Sequence, residues 1–336
     1  MVSMKDIAAA TGFSIATVSK ALNDQDDISV ETKEKVRAAA KEMGYQPNSA
    51  AKALKTNKTQ NIGVLFADES QSGLTHDYFS FVLDSFKRAI EAKGYDLTFV
   101  NADQTRSNRM TFLEHCRYRG FDGVMIACVQ FETPEVIELV NSGIPFVSID
   151  YPYAPKNSIM SDNKTGIGEL VHYIYDCGHR NIAFIHGSDS AVTRERLLAF
   201  KKACDELGLV VPPQFLREAP YRDTLRAAKE TEILLDMDTP PTCIIYPDDF
   251  AAFGGFNAIH EKGLRIPEDI SVAGYDGIRI GRHIEPQLTT IRQDTQALGA
   301  QAAERLISLI QNPESVPDKT IVIDGVLVEG KSVGKI

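Results

Sequence analysis

An all-α helix-turn-helix head joined to an α/β core of two parallel-sheet subdomains is the fold class this sequence predicts. Three observations carry that expectation. Residues 4–58 hold two short amphipathic patterns on either side of Gly12, followed by a third; this is the outline of a helix-turn-helix, whose second helix lies in a DNA major groove. From Asn61 onward, continuous apolar runs alternate with amphipathic stretches, the pattern of parallel strands covered by helices on both faces. Charge divides at the same place. Residues 1–58 carry nine Lys/Arg against seven Asp/Glu, a net of +2, so the rest of a chain of net charge −10 carries −12. A mildly basic head on an acidic body fits phosphate contact by the head alone.

Taken in order, Ser3-Met-Lys-Asp6 has capping-box spacing with Asp in place of Glu, and Ile7, Ala8 and Ala10 follow as a small apolar face. Thr11-Gly12-Phe13 closes that helix, because glycine tolerates the left-handed backbone of a tight turn. Ser14 caps the second helix, with Val18 and Leu22 inward and Ile15, Ala16, Thr17, Ser19 and Lys20 outward. Small, polar and basic side chains on a short helix can reach base edges without obstruction. Ser29 caps a third helix with Val30, Val36, Ala39, Ala40 and Met43 as its buried stripe, ended by Gly44 and Pro47. Residues 48–56 offer about two helical turns, too few for an isolated helix in water.

The core begins with Ile62-Gly-Val-Leu-Phe66 as a strand and a helix from Asp77 that turns Phe79, Val82, Phe86 and Ile90 inward. Strands follow at Leu97–Val100, Gly123–Ala127 and Pro145–Asp150, with a helix opened by Pro134 between the last two. After a break at 158–163 the cycle resumes: helix to Cys177, strand Ile182–His186, helices 194–207 and 224–236, strand Cys243–Tyr246, helix 249–262, strand Ile270–Tyr275. About ten such units exceed one comfortable core, so two subdomains are expected.

Ligands of such sheets bind beyond the carboxyl ends of the strands. Asp68, Asp150, Asp248, Asp249 and Asp276 fall at those ends, with Arg196 early in a following helix and Tyr78, Phe79, Tyr151, Tyr221 and Phe250 near the same edge. Carboxylates and a guanidinium bond hydroxyls, and aromatic faces pack on apolar sugar faces, so the mixture favours a polyhydroxylated ligand. Asp77 and Asp249 read as helix caps; Asp150 and Asp276, with no clear long helix after them, read as ligand contacts.

Several classes are excluded. Five scattered cysteines without Cys-x-x-Cys spacing argue against a disulfide framework or zinc site. Seven dispersed histidines argue against a metal, and no Gly-x-Ser-x-Gly, P-loop, Rossmann fingerprint or His-Glu-x-x-His is present. Neither an enzyme nor a cofactor is expected. Without a signal peptide or an apolar run of membrane-spanning length, a cytoplasmic protein with no membrane partner is expected.

The head motifs (Lys5-Asp-Ile-Ala, Gly12-Phe-Ser-Ile-Ala-Thr-Val-Ser-Lys20, Gly44-Tyr-Gln-Pro-Asn48, Ala51, Leu54) resemble the LacI/GalR family of bacterial transcriptional regulators. Asp162-Asn163, Gly178–Phe184, Arg194-Glu-Arg196, Ala251–Gly254, Pro267–Asp276 and Leu288–Asp294 extend the likeness through the core. The resemblance implies a helix-turn-helix domain over 1–47, a hinge helix over 48–58, and a periplasmic-binding-protein-like core. Residues 59–160 with 292–320 would form one subdomain and 161–291 with 321–336 the other, the chain crossing near 161, 291 and 321.

It further implies double-stranded operator DNA as one partner and a small-molecule effector, most often a carbohydrate, as another. By position, Ile15, Ala16 and Lys20 would read bases, while Ser14, Thr17, Ser19, Asn23 and Thr32 would hold phosphates. Asn48 and Ala51 join that surface, and Leu54 would wedge into the minor groove. Tyr78, Phe79, Asp150, Arg196, Tyr221, Asp248, Phe250 and Asp276 would line the effector cleft. Two departures from the family pattern stand out: Asp248 where Asn is common, and Asp24, Asp26 and Asp27 beside the reading helix. Ser190 stands where purine-responsive relatives carry arginine, which ranks a sugar above a purine. No leucine heptad follows Val328, so a homodimer is expected. A core that senses a partner protein, and a plain sugar-binding receptor, are the alternatives.

Overall fold

In the computed structural model, which describes residues 2–46, 58–67, 72–100, 110–153, 157–314 and 316–336, the chain divides into two units, Met1–Thr59 and Gln60–Ile336. The first is the head. The Asp6 carboxylate accepts from the Ser3 N–H and hydroxyl, each at 2.8 Å, and starts α1 (Met4–Thr11), which Gly12 ends at φ 74°. Ser14 caps α2 (Ile15–Leu22) by accepting from Thr17 N–H, and Ser29 caps α3 (Val30–Glu42) by accepting from Thr32 N–H. Ile7, Val18, Ala21, Val36 and Ala40 form the core between the three helices, with Leu22, Ala39 and Met43 packed against it. Val30 departs from expectation and is 70% exposed. It sits roughly 120° round the helix from Val36, off the buried stripe. Ala10 is exposed as well. The expected hinge helix, with Asn48, Ala51 and Leu54, lies outside the described residues.

The second unit contains two six-stranded sheets. The first is built from β1 (Asn61–Phe66), α4 (Asp77–Glu91), β2 (Asp96–Phe99), α5 (Phe112–Arg119), β3 (Gly123–Ala127), α6 (Pro134–Val140), β4 (Phe146–Ile149) and β5 (Ser158–Ser161). The chain then enters the second through α7 (Asn163–Asp176), β6 (Ile182–His186), α8 (Ala191–Glu206), β7 (Leu216–Glu218), α9 (Thr224–Leu235), β8 (Cys243–Ile245), α10 (Asp249–Glu261), β9 (Ser271–Asp276) and β10 (Thr289–Arg292). It returns as α11 (Thr295–Gln311) and β11 (Thr320–Ile323), and finishes in the second sheet as β12 (Val326–Val328).

The two strand orders, β11-β5-β4-β3-β1-β2 and β12-β10-β9-β8-β6-β7, are the same doubly wound pattern used twice. Each pairing is parallel except that of β12 with β10. Both faces of each sheet are covered. Ile62 and Val64 face a core shared with α4 and α11, whereas Leu65 faces the one shared with α5 and α6, following the alternation of side chains along a strand. Full burial of each such side chain contributes about 1.5–3 kcal/mol.

Three boundaries differ from the sequence expectation. Ser161, assigned to the second subdomain, ends β5 in the first sheet. Ile321–Ile323, assigned to the second subdomain, pair with Ile159–Ser161 in the first sheet. Arg292, assigned to the first, pairs with Asp276 and Val326 in the second. Strand partners decide membership, and a single sequence does not display them. The crossings fall at Asp162, at Gln293–Asp294 and at Asp324–Gly325, between the paired strands.

Candidate functional site

β4 and β9 occupy equivalent places in the two sheets, and each ends at an aspartate with a left-handed backbone. Asp150 has φ 58° and Asp276 φ 104°; aspartate enters this region more readily than most residues. The turn brings each carboxyl group off the carboxyl edge of its sheet. Tyr78, in the first turn of α4, donates to Asp150 Oδ2 at 2.6 Å, and Ser161 N–H donates to Oδ1 at 3.3 Å. Gln293, on the second crossing, donates to Asp276 Oδ1 at 2.6 Å. Its own Oε1 is buried with no partner among the described residues, an acceptor open to a donor.

Arg196 is buried at the centre of this edge. Its Nε donates to Asn163 Oδ1 at 2.8 Å and Nη1 to the Pro247 carbonyl at 2.9 Å. The guanidinium lies 3.6 Å from the Tyr275 ring centroid, and Nη2 is 4.0 Å from Asp276 Oδ1. Tyr221 stands 6.0 Å away and bonds Thr193 through its hydroxyl at 2.8 Å. Gly187 permits that approach, since a Cβ there would fall 2.3 Å from the Tyr221 ring.

Asp248 caps α10, with Oδ1 accepting from Ala251 N–H at 2.8 Å and Oδ2 from Arg222 N–H at 2.7 Å. Both oxygens therefore act as acceptors. An asparagine could supply only one, which accounts for the aspartate at this position. Phe250 lies under the Arg222 guanidinium at 3.9 Å. Phe79 packs edge-on against Phe66, His76 and Tyr78 in the wall of the first subdomain.

Two readings of caps are corrected. Asp249 is not the cap of α10 but is buried behind it, accepting from Thr290 Oγ1 at 2.6 Å and Ile278 N–H at 2.8 Å. Asp77 follows the cap position and bonds Arg222 across the two subdomains. Burial pushes the carboxyls of Asp150 and Asp248 up, and that of Asp249 well up, from the ordinary aspartate value. It raises Asp276 to about 7, although Arg196 beside it pulls the other way.

The edge thus collects Tyr78, Asp150, Arg196, Tyr221, Asp248 and Asp276, with Asn163, Thr193, Tyr275, Gln293 and Arg222 besides. Asn163, Tyr275 and Gln293 lie within the stretches that carry the family likeness, which is the signal the sequence holds for them. Arg222 is one arginine in a loop, and nothing in its sequence context marks it.

On the head, Ile15, Ala16 and Lys20 are exposed along α2. Ser14 and Thr17 share a hydroxyl contact at 2.9 Å, as do Ser29 and Thr32. Asn23 folds back to donate to the Ser19 carbonyl at 2.7 Å. Lys20 is paired with Asp27. Asp24, at φ 59°, binds Arg37 at 2.7 Å and Lys33 at 3.1 Å. The acidic turn therefore ties α2 to the loop and the loop to α3.

Residues 3–48 match the model for bacterial regulatory proteins of the lacI family, and residues 171–333 match a periplasmic binding protein-like domain. The HTH-type transcriptional repressor PurR of Pasteurella multocida is 32% identical over 99% of both chains. Among solved structures, the lac repressor dimer bound to operator and the anti-inducer ONPF superposes with TM-score 0.83 at 27% identity over 99% of both chains. A LacI family transcriptional regulator from Enterococcus faecium with bound ribose superposes with TM-score 0.70 at 26% identity, covering 82% of this chain and 99% of its own.

Proposed function

The chain belongs to the lacI family of bacterial regulatory proteins, and from that premise we propose a dimeric transcriptional repressor whose operator affinity is set by a sugar bound between the core subdomains. The observation that carries the effector reading is the group of Asp150, Arg196 and Asp276 with Tyr78 and Tyr221 at the facing carboxyl edges of both sheets. Its carboxyl groups and aromatic faces, with the unpartnered Gln293 Oε1 beside them, suit a ligand with many hydroxyl donors and apolar ring faces. A similar chain crystallised with ribose supports this reading. So does Ser190, which caps α8 by accepting from Thr193 N–H at 3.1 Å in place of the arginine of purine-responsive relatives.

A ligand bridging both subdomains favours their closed arrangement by its differential affinity for that arrangement. Coupling to operator binding then amounts to about 1–3 kcal/mol. The exposed face of α2, with Ile15, Ala16 and Lys20, reads bases, and Ser14, Thr17, Ser19, Asn23 and Thr32 hold phosphates. None of the described helices is long and apolar enough to cross a membrane, and an operator DNA partner supports a cytoplasmic protein.

The test is a thermal-shift panel of neutral mono- and disaccharides on the full chain, followed by operator binding with each hit. A sugar at 100-fold its dissociation constant adds about 2.7 kcal/mol of stability, and the same sugar must change operator affinity. A panel without a shift would sink the sugar assignment. A shift without any change in operator affinity would sink the coupling.

A further inference from the structure

Arg222 joins the two subdomains where no ligand group is needed to do so. It lies in the loop between β7 and α9 of the second subdomain, with φ 63°. A left-handed backbone at a non-glycine residue costs free energy and persists only where its surroundings hold it. Here Asp248 Oδ2 accepts the Arg222 N–H at 2.7 Å, and the Phe250 ring lies 3.9 Å beneath the guanidinium. The loop, the cap of α10 and an aromatic plate thus aim one guanidinium outward. It reaches the first subdomain, where Nη1 meets Asp77 Oδ2 and Nε meets Ser72 Oγ, each at 3.1 Å.

Two other arginines of the second subdomain reach the same way. Arg194 stands 3.8 Å from Glu132, but both side chains are more than half exposed and Arg194 also bonds Asp189 at 2.9 Å. Solvent screening leaves such a pair little strength. Arg279 lies 4.7 Å over the Phe81 ring. Arg222 differs in being 14% exposed, seated 3.9 Å over an aromatic ring and bonded to two acceptors. A guanidinium held against a ring keeps its fork oriented, so little freedom is lost when it bonds.

We infer that Arg222 is a positioning residue for cleft closure, a latch on the second subdomain that grips Asp77 and Ser72 and favours the closed core independently of effector. The inference extends the reading of the core as a closing cleft and does not depend on which ligand it takes. Asp248 belongs to the same device, because its second oxygen fixes the Arg222 backbone while its first caps α10. A ligand that closes the cleft then works on an equilibrium already biased toward closure, and the effector concentration for half response is set partly by Asp77 and Arg222.

Small-angle X-ray scattering of the full chain, without DNA or sugar, reads this directly. Arg222→Ala and Asp77→Asn should each shift the balance of closed to open cores about tenfold toward open and raise the radius of gyration. The double variant should open no further than Arg222→Ala, which already removes the contact with Asp77. Arg222→Lys keeps the charge but loses the guanidinium fork that reaches Asp77 and Ser72 together, and should fall between. Scattering like the parent from both single variants, or additive opening in the double, would overturn the latch. Should Arg222→Ala lose its circular dichroism signal, Asp77→Asn decides, because Asp77 begins a helix with its side chain 37% exposed. A silent sugar panel would leave these scattering results untouched, so the two readings fail separately.

Discussion

Aspartates of the head and aspartates of the core meet opposite surroundings. In the head, hydrogen bonds from Lys33 and Arg37 hold Asp24 below its usual value, and one from Lys20 does the same for Asp27. The carboxylates of these pairs stand in water, 69% exposed at Asp24 and 55% at Asp27, where salt screens them. In the core, burial raises Asp150, Asp248 and Asp276, and the Arg196 guanidinium lies among them with Nη2 4.0 Å from Asp276. The head can open its pairs cheaply when a phosphate arrives. The core cannot lose a partner without a compensating proton or ligand, which makes it sensitive to what enters the cleft.

The largest test of that contrast is Arg196→Ala. Removing one partner from a buried charged network costs about 3–5 kcal/mol, read as a lower denaturant midpoint of the core at pH 7. A loss no greater than that of an exposed pair would erase the distinction between the regions.

Next is pH. Because the Asp276 carboxyl rises from 3.8 to about 7 on folding, the folded state holds the proton more tightly. Its contribution to stability is complete below about pH 4 and is lost as pH rises through 7, a few kcal/mol at most by linkage. Asp276→Asn should therefore flatten the fall in stability between pH 4 and 7. An unaltered slope would assign that titration to another group.

The smallest effect belongs to the head. Asp27→Asn releases Lys20, and the slope of log operator affinity against log salt should steepen by about 0.9, one phosphate contact. The melting temperature should stay unchanged, as for an exposed pair. A slope like the parent's would mean that the Lys20–Asp27 pair already opens on DNA.

Much of this arrangement was legible in the chain. Ser14, Gly12 and Ser29 mark the head helices because caps and left-handed turns are local events, satisfied within four residues. The strands Ile62–Phe66 and Gly123–Ala127 showed as apolar runs because both their faces are buried. Less visible were α11, whose Gly299 lets it press on α4 with Val82 O 2.3 Å from where a Cβ would sit, and the short strands β5, β7, β10, β11 and β12. Strands this short show in sequence only where a longer apolar run surrounds them, as at Pro145–Asp150 and Cys243–Tyr246. In the cleft, Asp150, Arg196 and Asp276 were readable from their places at strand ends and helix starts, whereas Arg222 was not. The acidic turn, an oddity in sequence, acquired partners only when α2 and α3 came together.

The sequence by itself determined the helix-turn-helix head, the doubly wound core and the family, since each rests on residue patterns local to one element or shared along the chain. Tertiary structure alone decided which sheet β11 and β12 join, which oxygen of Asp248 holds which donor, and that Arg222 spans to Asp77. Those contacts join residues 26 and 145 positions apart in the case of Arg222. Their existence depends on distances that only the packed chain fixes.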